Sequence, residues 1–314
     1  MHKILLTERD QFTSQFKEKL TELGLVTEIG STREELLLNI HDKEILIVAL
    51  ANKVDKEVLS KAQNLKIIVS PTTGLDHIDE KFAQERNIKI ISLRGEIEFL
   101  KNVTATAELT WGLILSLTRK IPAAVAHVAS GGWNRYDFKG IELKGKTLGI
   151  IGYGRLGKIV AEYAKAFRMK VLTYDINENV RADERVNLEE LLKGSDIISL
   201  HIPLNDENKG FFSHLLMSKM KNGSFLINTS RGKIVDEVSL IEFLKNGKIL
   251  GYAADVLSDE SSQNDSWIKN NIIYKEMQLG ANVILTPHVG GYTSDSIENV
   301  NSFILSKLIS CIDF

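Results

Sequence analysis

Residues 147–175 carry groups suited to holding a dinucleotide, in the order that binding requires. A short apolar run, Thr147-Leu148-Gly149-Ile150-Ile151, reads as a strand buried on both faces and leads into Gly152-Tyr153-Gly154-Arg155-Leu156-Gly157. An amphipathic helical pattern follows over Lys158–Arg168. In this G-x-G-x-x-G spacing Gly152 permits a tight turn, Gly154 lets the backbone approach a pyrophosphate, and Gly157 packs helix on strand. The helix N-terminus then offers N–H groups to the anion. A second strand, Lys170–Tyr174, ends at Asp175, 18 residues beyond Gly157. A carboxylate there accepts hydrogen bonds from both ribose hydroxyls and repels a 2′-phosphate, so the expected cofactor is NAD rather than NADP. Asn177 and Glu178 add no cation, and Arg181 is displaced by six residues. A glycine-rich turn alone is a weak signal. Strand, turn, helix, second strand and terminal Asp together are a specific one.

The later apolar runs also end in polar clusters. Ser199-Leu200-His201-Ile202-Pro203-Leu204 closes one, and Asn228-Thr229-Ser230-Arg231-Gly232 closes the next. Ala253-Ala254-Asp255-Val256 closes a third and is followed by Asp259-Glu260; Thr286-Pro287-His288-Val289-Gly290-Gly291 closes the last. A parallel sheet binds ligands beyond the carboxyl ends of its strands, which makes these clusters the candidate site. Singly, each residue has an ordinary explanation: an Arg or Glu is most often a solvated charge, and a His after Thr-Pro a loop residue bonded to backbone. Their co-occurrence beside a dinucleotide turn is what points to chemistry. His201 reads as lining the cofactor pocket through its backbone, with Pro203 shaping the turn. His77 and His127 lack a partner pattern and read as structural.

The elements that must position these groups form two alternating βα systems. Before residue 100, strand-like runs fall at Lys3–Leu6, Glu44–Leu50, Leu65–Ser70 and Ile88–Leu93. Phe12, Phe16, Leu20 and Leu23 share a helix face with Gly24 as C-cap, and Ile78–Arg86 is a further helix closed by Asn87. One long, largely apolar helical segment is expected over Thr104–Ala129, containing Trp111, Leu113, Ile114 and Leu117. The second system follows, with strands near 148–151, 170–174, 196–200, 224–228, 250–254 and 283–286. The tail, Thr293–Ile312, is a helix expected to cross back to the first sheet. The predicted fold is therefore α/β, with two doubly wound parallel-sheet domains and a cleft between them. A discontinuous flavodoxin-like domain takes residues 1–102 plus 290–314, and a Rossmann NAD-binding domain takes residues 103–289.

Composition narrows the function class. A length of 314 residues suits about two domains. Charged residues make up 25% and the formal net charge is −2, so neither nucleic acid nor an anionic membrane is an expected partner. Cys311 is the only cysteine, which rules out an internal disulfide and a multi-cysteine metal site; no metal is expected. A reducing, cytoplasmic setting is the expected one. Glu8, Arg9 and Asp10 interrupt the N-terminus, so no secretory segment is expected there. No apolar run approaches the roughly 20 residues of a bilayer span.

The order of motifs resembles the D-isomer-specific 2-hydroxyacid dehydrogenases, which include D-lactate, glycerate and 3-phosphoglycerate dehydrogenases and hydroxypyruvate reductases. The resemblance covers nearly the whole chain and includes Thr73-Gly74-Leu75-Asp76-His77-Ile78-Asp79 and Thr106-Ala107-Glu108-Leu109-Thr110. It implies a catalytic arginine at Arg231, a glutamate at Glu260, 29 residues later, and a histidine at His288. It implies cofactor contacts at the three glycines of the turn, Arg155, Leu156, Asp175, Thr229, Ser230, Asp255 and the segment His288–Gly291, with Gly290 and Gly291. Thr73 and Gly74 are implied as the substrate-facing loop, joined at the substrate by Arg231 and His288. One departure stands out. The family usually has a proline after this glutamate, whereas Ser261 follows here and a polar stretch, Ser261–Asn271, lengthens the loop, with Asp259 as a competing acid.

The residue types suit the implied reaction. Oxidising a 2-hydroxy acid takes a hydroxyl proton while hydride leaves the same carbon, and imidazole is a natural base near neutral pH. A neighbouring carboxylate favours the imidazolium, which can donate the proton in reduction. An arginine fork fixes the substrate carboxylate and carbonyl. Family members that act on 3-phosphoglycerate typically carry arginines in two first-domain loops, where they clamp the distal phosphate. The matching loops here, Ala49–Lys53 and Ser70–Gly74, hold none, with only Lys53 nearby and Arg94 on another strand end, while Leu50 and Pro71 are apolar. A small, unphosphorylated 2-oxo acid is the expected substrate, with 3-phosphoglycerate dehydrogenase as the alternative. A non-catalytic NAD-sensing module of the same fold and a purely structural dimer are readings from other classes. The apolar 104–129 region, with Trp111 and Leu115, is the expected surface of a homodimer.

Overall fold

The structure is a computed structural model that describes residues 1–180, 182, 184–258, 260 and 265–312. Strands β1 (His2–Leu6), β2 (Gly24–Glu28), β3 (Ile45–Ile47), β4 (Ile67–Ser70) and β5 (Lys89–Ser92) form an all-parallel sheet in the order β2-β1-β3-β4-β5. Strands β6 (Thr147–Ile151), β7 (Lys170–Tyr174), β8 (Ile197–Leu200), β9 (Ser224–Asn228), β10 (Ile249–Ala254) and β11 (Val283–Leu285) form a second one. Its order is β11-β10-β9-β8-β6-β7, again all parallel. The sheets belong to two compact units, residues 1–103 with the chain from 292 onward, and residues 104–260 with 266–291.

In the first unit Ile4 and Leu6 of β1 pack with Phe16, Leu20, Ile304 and Leu308, while Leu5 packs with Leu36, Val58, Leu59 and Ala83. Successive side chains point to opposite faces and both faces are covered, so the strand is apolar throughout. The helix Ser294–Ile312 supplies Val300, Ile304 and Leu308, as expected of a tail that returns to this sheet. In the second unit Leu148 and Ile150 of β6 pack with Trp111, Val160 and Ala164, and Ile151 joins the opposite core of Leu200, Leu226 and Tyr252.

β2 has no counterpart in the sequence reading. It is an edge strand paired only with β1, and its Gly-Leu-Val-Thr-Glu sequence lacks a continuous apolar run. Gly24 does cap the helix Ser14–Leu23, its N–H bonded to the Leu20 carbonyl, but it continues directly as β2. The short helices Arg33–Asn39 and Lys56–Lys61 are further additions.

The single helix expected over Thr104–Ala129 is two helices, Ala105–Thr118 and Ile121–Ala129. Lys120 between them is left-handed (φ 53°), and Pro122 in the first turn of the second helix has no N–H to continue the first. Trp111 is also not the surface residue expected. It is only 7% exposed and packs edge-on to Tyr163 and tilted against Phe167, with ring centroids 6.3 and 4.9 Å away, and Leu115 is half-buried in the same core. The exposed large apolar side chains of this stretch and the turn after it are Ile121, Val125, Val128, Trp133 and Tyr136. Part of the polar stretch after Glu260 is likewise ordered into a turn of 3-10 helix, Asp265–Asn270, and the helix Ile272–Gln278 follows.

The helix after the glycine turn begins three residues earlier than its amphipathic pattern, as Arg155–Ala166, and its end yields a stability test. Arg168 is left-handed (φ 58°) and exposed. Its N–H bonds to the Lys165 carbonyl at 2.9 Å, and the N–H of buried Met169 bonds to the Ala164 carbonyl at 3.0 Å. This paired closure usually employs glycine. Relief of the left-handed strain outweighs glycine's extra chain entropy, so Arg168→Gly should stabilise the protein by about 0.5–1 kcal/mol. Urea unfolding checks it: a later midpoint is expected, and an earlier one contradicts the assignment of strain.

Candidate active site

β6 lies where the strand order of the second sheet reverses, with β7 on one side and β8 on the other. Ligand crevices form beyond the carboxyl ends of strands at such a point. Gly152 leaves β6 with φ 93°, and a side chain there would meet the His201 carbonyl at 2.5 Å. A Cβ on Gly157 would lie 2.2 Å from the Gly152 carbonyl, so helix and strand touch through bare backbone. Gly154 is the N-cap of the helix Arg155–Ala166, makes no side-chain cap, and faces open space where a Cβ would stand. An uncapped helix N-terminus opening on free space fits a diphosphate. Burial lowers the pKa of half-buried Arg155, a cost that a diphosphate beside it would offset. Leu156 follows it in the first turn and is half-buried.

Asp175 stands at the end of β7. Its Oδ2 accepts the Tyr153 N–H at 2.8 Å and its Oδ1 the Asn177 N–H at 2.9 Å, which ties the carboxylate to the glycine turn. Arg181 lies outside the described residues. A nearby cation without a signal in the local sequence pattern is Arg185, whose guanidinium donates to the carbonyls of Asp175 at 2.8 Å and of Asn177 and Val180 at 3.0 Å. The His201 backbone abuts the turn at Gly152. Its Nε2 pairs with Ser199 Oγ at 2.9 Å, and burial pushes its pKa down to about 4, so the ring is neutral near pH 7 and no acid–base. The Pro203 carbonyl accepts from Asn208 Nδ2, closing the turn that follows.

Arg231, Glu260 and His288 come from the ends of three neighbouring strands, β9, β10 and β11. After β9, Ser230 donates to Asn228 Oδ1 from both its N–H (3.1 Å) and Oγ (2.8 Å), and Asn228 Nδ2 donates to the Arg231 carbonyl at 3.0 Å. Asn228 thus folds the turn that presents Arg231, a role visible only in the structure. Thr229 Oγ1 bonds to Thr110 Oγ1 of the helix Ala105–Thr118 at 2.8 Å. A Cβ on Gly232 would lie 1.9 Å from the Leu257 carbonyl carbon and 2.4 Å from the Ser258 nitrogen. The segments after β9 and β10 therefore meet backbone to backbone, which brings Arg231 beside the Glu260 segment.

Asp255, only 2% exposed, grips the segment after β11. Its carboxylate accepts from Thr286 Oγ1 (2.5 Å), the Val289 N–H (2.9 Å) and the Gly290 N–H (2.7 Å), and its carbonyl accepts the His288 N–H at 3.0 Å. Burial raises the pKa of Asp255 against the pull of these donors. Held on both sides, His288 adopts a left-handed backbone, φ 53°, that a non-glycine residue takes only under such constraint. Its Nδ1 lies 2.8 Å from Glu260 Oε2. Burial pulls the His288 pKa down, but the hydrogen bond and charge of Glu260, with help from Asp255, raise it overall against the opposing charge of Arg231. The ring is therefore biased toward imidazolium, and a ring whose Nδ1 is committed to Glu260 could exchange a proton with a ligand only through Nε2.

The second unit thus brings the three expected residues together. Asp259, the competing acid, lies outside the described residues. Gly291 is exposed and uncrowded. Thr73 and Gly74 belong to the first unit, in a turn after β4 braced by Thr72 Oγ1 on the Gly74 carbonyl (2.7 Å) and by Ser70 Oγ, which bonds Thr72 (2.9 Å) and His77 Nε2 (3.2 Å). His77 and His127, the latter accepting the Asn134 N–H at 3.1 Å, serve local structure. Among the described residues no group of three or more His, Cys, Asp or Glu could hold a metal. The Gly232 contact gives a direct test. Gly232→Ala should force apart the segments carrying Arg231 and Glu260 and destabilise the protein by about 1–3 kcal/mol, measured by urea unfolding; an unchanged midpoint would contradict the packing described.

Residues 111–290 match the NAD binding domain of the D-isomer specific 2-hydroxyacid dehydrogenases. The D-3-phosphoglycerate dehydrogenase of Methanocaldococcus jannaschii is 34% identical over 98% of this chain and 57% of its own length. The glyoxylate reductase of Thermococcus litoralis is 37% identical over 88% of this chain and 83% of its own length. The structure of Aquifex aeolicus D-lactate dehydrogenase, complexed with NAD and lactic acid, matches with a TM-score of 0.83 at 29% identity, covering 99% of this chain and 95% of that one. The chain spans little more than half the length of the phosphoglycerate dehydrogenases it matches, 57% in M. jannaschii and 53% in Archaeoglobus fulgidus. On the family match and these identities, the chain belongs to the D-isomer specific 2-hydroxyacid dehydrogenase family.

Proposed function

We propose that the protein is an NAD-dependent oxidoreductase that interconverts a small, unphosphorylated 2-oxo acid and the D-2-hydroxy acid. The observation that carries this reading is the 2.8 Å contact between His288 Nδ1 and Glu260, in a segment packed against the one bearing Arg231. Arg231 binds the substrate carboxylate and carbonyl, and Thr73 and Gly74 are the substrate-facing residues of the first unit. His288 Nε2 gives a proton to the carbonyl oxygen in reduction and takes it back in oxidation, while Glu260 stabilises the imidazolium. NAD, when bound, carries the hydride. Arg155, Leu156, Asp175, Thr229, Ser230, Asp255, Gly290 and Gly291 line its site, with Asp175 selecting NAD. An intact acid–base pair favours an enzyme over an NAD-sensing module.

The substrate assignment rests on charge. Arg94, one of the two cations available for a distal phosphate, is ion-paired with Glu80 at 2.7 Å, which leaves Lys53 as a point charge without a fork. The competing substrate, 3-phosphoglycerate, is favoured by the name of the M. jannaschii relative. A panel of glyoxylate, hydroxypyruvate, pyruvate, longer branched acids and phosphohydroxypyruvate, followed by NADH absorbance, decides between them. A kcat/KM for phosphohydroxypyruvate at least about tenfold above every other acid overturns the unphosphorylated assignment, and no oxidation of NADH with any acid overturns the enzyme.

His288→Ala should cost several orders of magnitude in turnover with NADH affinity nearly intact, and a loss within about tenfold would point to another acid–base. In Glu260→Gln the His288 pKa falls. Because reduction needs the protonated ring, its loss with rising pH should then set in at lower pH than in wild type. An unmoved profile would remove Glu260 from the mechanism.

We also propose a cytoplasmic homodimer joined through the exposed face of helix Ile121–Ala129 and the side chains of Trp133 and Tyr136. Light scattering should give twice the 35.1 kDa chain mass and shift toward one chain mass in Val125→Asp. A monomeric wild type at micromolar concentration contradicts it.

A further inference from the structure

Glu237 is the first residue of the helix Glu237–Lys245, yet its side chain does not cap that helix. Asp236 does, accepting the N–H groups of Val238 and Ser239. The Glu237 carboxylate is 7% exposed and spans two other segments. Its Oε1 accepts the Ser258 N–H at 2.8 Å, and its Oε2 accepts from Asn271 Nδ2 at 3.1 Å. Ser258 lies two residues before Glu260, and Asn271 lies beyond it at the start of the helix Ile272–Gln278. One buried carboxylate therefore pins the chain on both sides of Glu260.

The amide of Asn271 cannot turn round. Its Oδ1 accepts the N–H groups of Ile273 at 2.8 Å and Tyr274 at 3.1 Å, so its NH2 must face Glu237. The position opposite needs an acceptor at both of its oxygens, toward Ser258 and toward Asn271, and only a carboxylate of this length offers that. The Leu257–Ser258 backbone held by Glu237 is the same backbone that lies against Gly232, beside Arg231.

We infer that Glu237 is a positioning residue of the proton-transfer site, acting through Ser258 and Asn271 to hold Glu260 against His288 Nδ1. It touches neither reacting group. The charged groups that act most on His288 are Glu260, Arg231 and Asp255. Loss of the negative charge at 237 would by itself move the His288 titration toward acid, whereas the charge added in Asn271→Asp would by itself move it toward base. An acid shift in both single variants therefore reports movement of Glu260.

The test exchanges the amide and the acid. In Glu237→Gln one NH2 must face another donor, and in Asn271→Asp two carboxylates face each other. In the double variant the amide oxygen at position 237 accepts the Ser258 N–H and the amide NH2 donates to the acid at position 271, whose other oxygen caps the helix. The His288 ring is titrated by NMR in the protein without substrate, assigned by its loss in His288→Gln, and kcat and KM are measured for the best 2-oxo acid. Each single variant should move the His288 titration toward acid and lower kcat about tenfold with KM changed much less; the double variant should restore both to within about twofold. An unmoved titration in folded Glu237→Gln, or a double variant no better than the worse single, overturns the inference. Should a single variant fail to fold, the double variant decides: a wild-type titration supports the inference and an acid-shifted one overturns it. The inference builds on the proposed acid–base pair, but the titration needs no turnover. It stands apart from whether any 2-oxo acid is reduced.

Discussion

The contact between Glu260 Oε2 and His288 Nδ1, at 2.8 Å, is the interaction on which the proposed chemistry depends. Neither residue is held by regular secondary structure. His288 is forced into a left-handed backbone by Asp255, which takes three donors from the same segment. Glu260 follows a stretch pressed against Gly232 and tied by Glu237. The Asp255 and Glu237 carboxylates are buried and accept hydrogen bonds at both oxygens, which is the condition under which such contacts rigidify a site instead of weakening it.

The parallel sheet explains why these residues meet at all. Strands β9, β10 and β11 are neighbours and point the same way, so their carboxyl ends lie side by side at about 4.8 Å spacing. Residues far apart in sequence, Arg231, Glu260 and His288, are then separated only by the width of adjacent strands and their turns. The reversal of strand order at β6 puts the glycine turn on the same edge, with the His201 backbone against it. The glycine turn and the Glu260–His288 pair are thereby parts of one sheet edge, and the strand order needs no further device to bring them there.

Much of this was legible in the sequence because buried parallel strands are apolar on both faces and end abruptly in polar residues. The strands of the second sheet, the glycine turn and Asp175 all followed from that pattern. β2 did not, since an edge strand of Gly-Leu-Val-Thr-Glu has no such run. The break between Thr118 and Ile121 was written in Pro122, but the apolar run across it hid the left-handed Lys120. Trp111 was misplaced because its apolarity did not reveal that Tyr163 and Phe167 would cover it. Asn228, Glu237 and the grip of Asp255 were illegible for a different reason. They act on residues brought close only by the fold, and no local spacing encodes a bond from Glu237 to Ser258 or Asn271.

The central claim is that hydride reaches a 2-oxo acid while His288, held by Glu260, supplies the proton. Single-turnover reduction, with NADH deuterated at the transferred position and in heavy water, tests it most directly. The account predicts that the chemical step is slowed by the labelled cofactor and also by the labelled solvent, the solvent effect tracking the protonated fraction of His288. A single-turnover rate that responds to neither label, with product still formed, would contradict it.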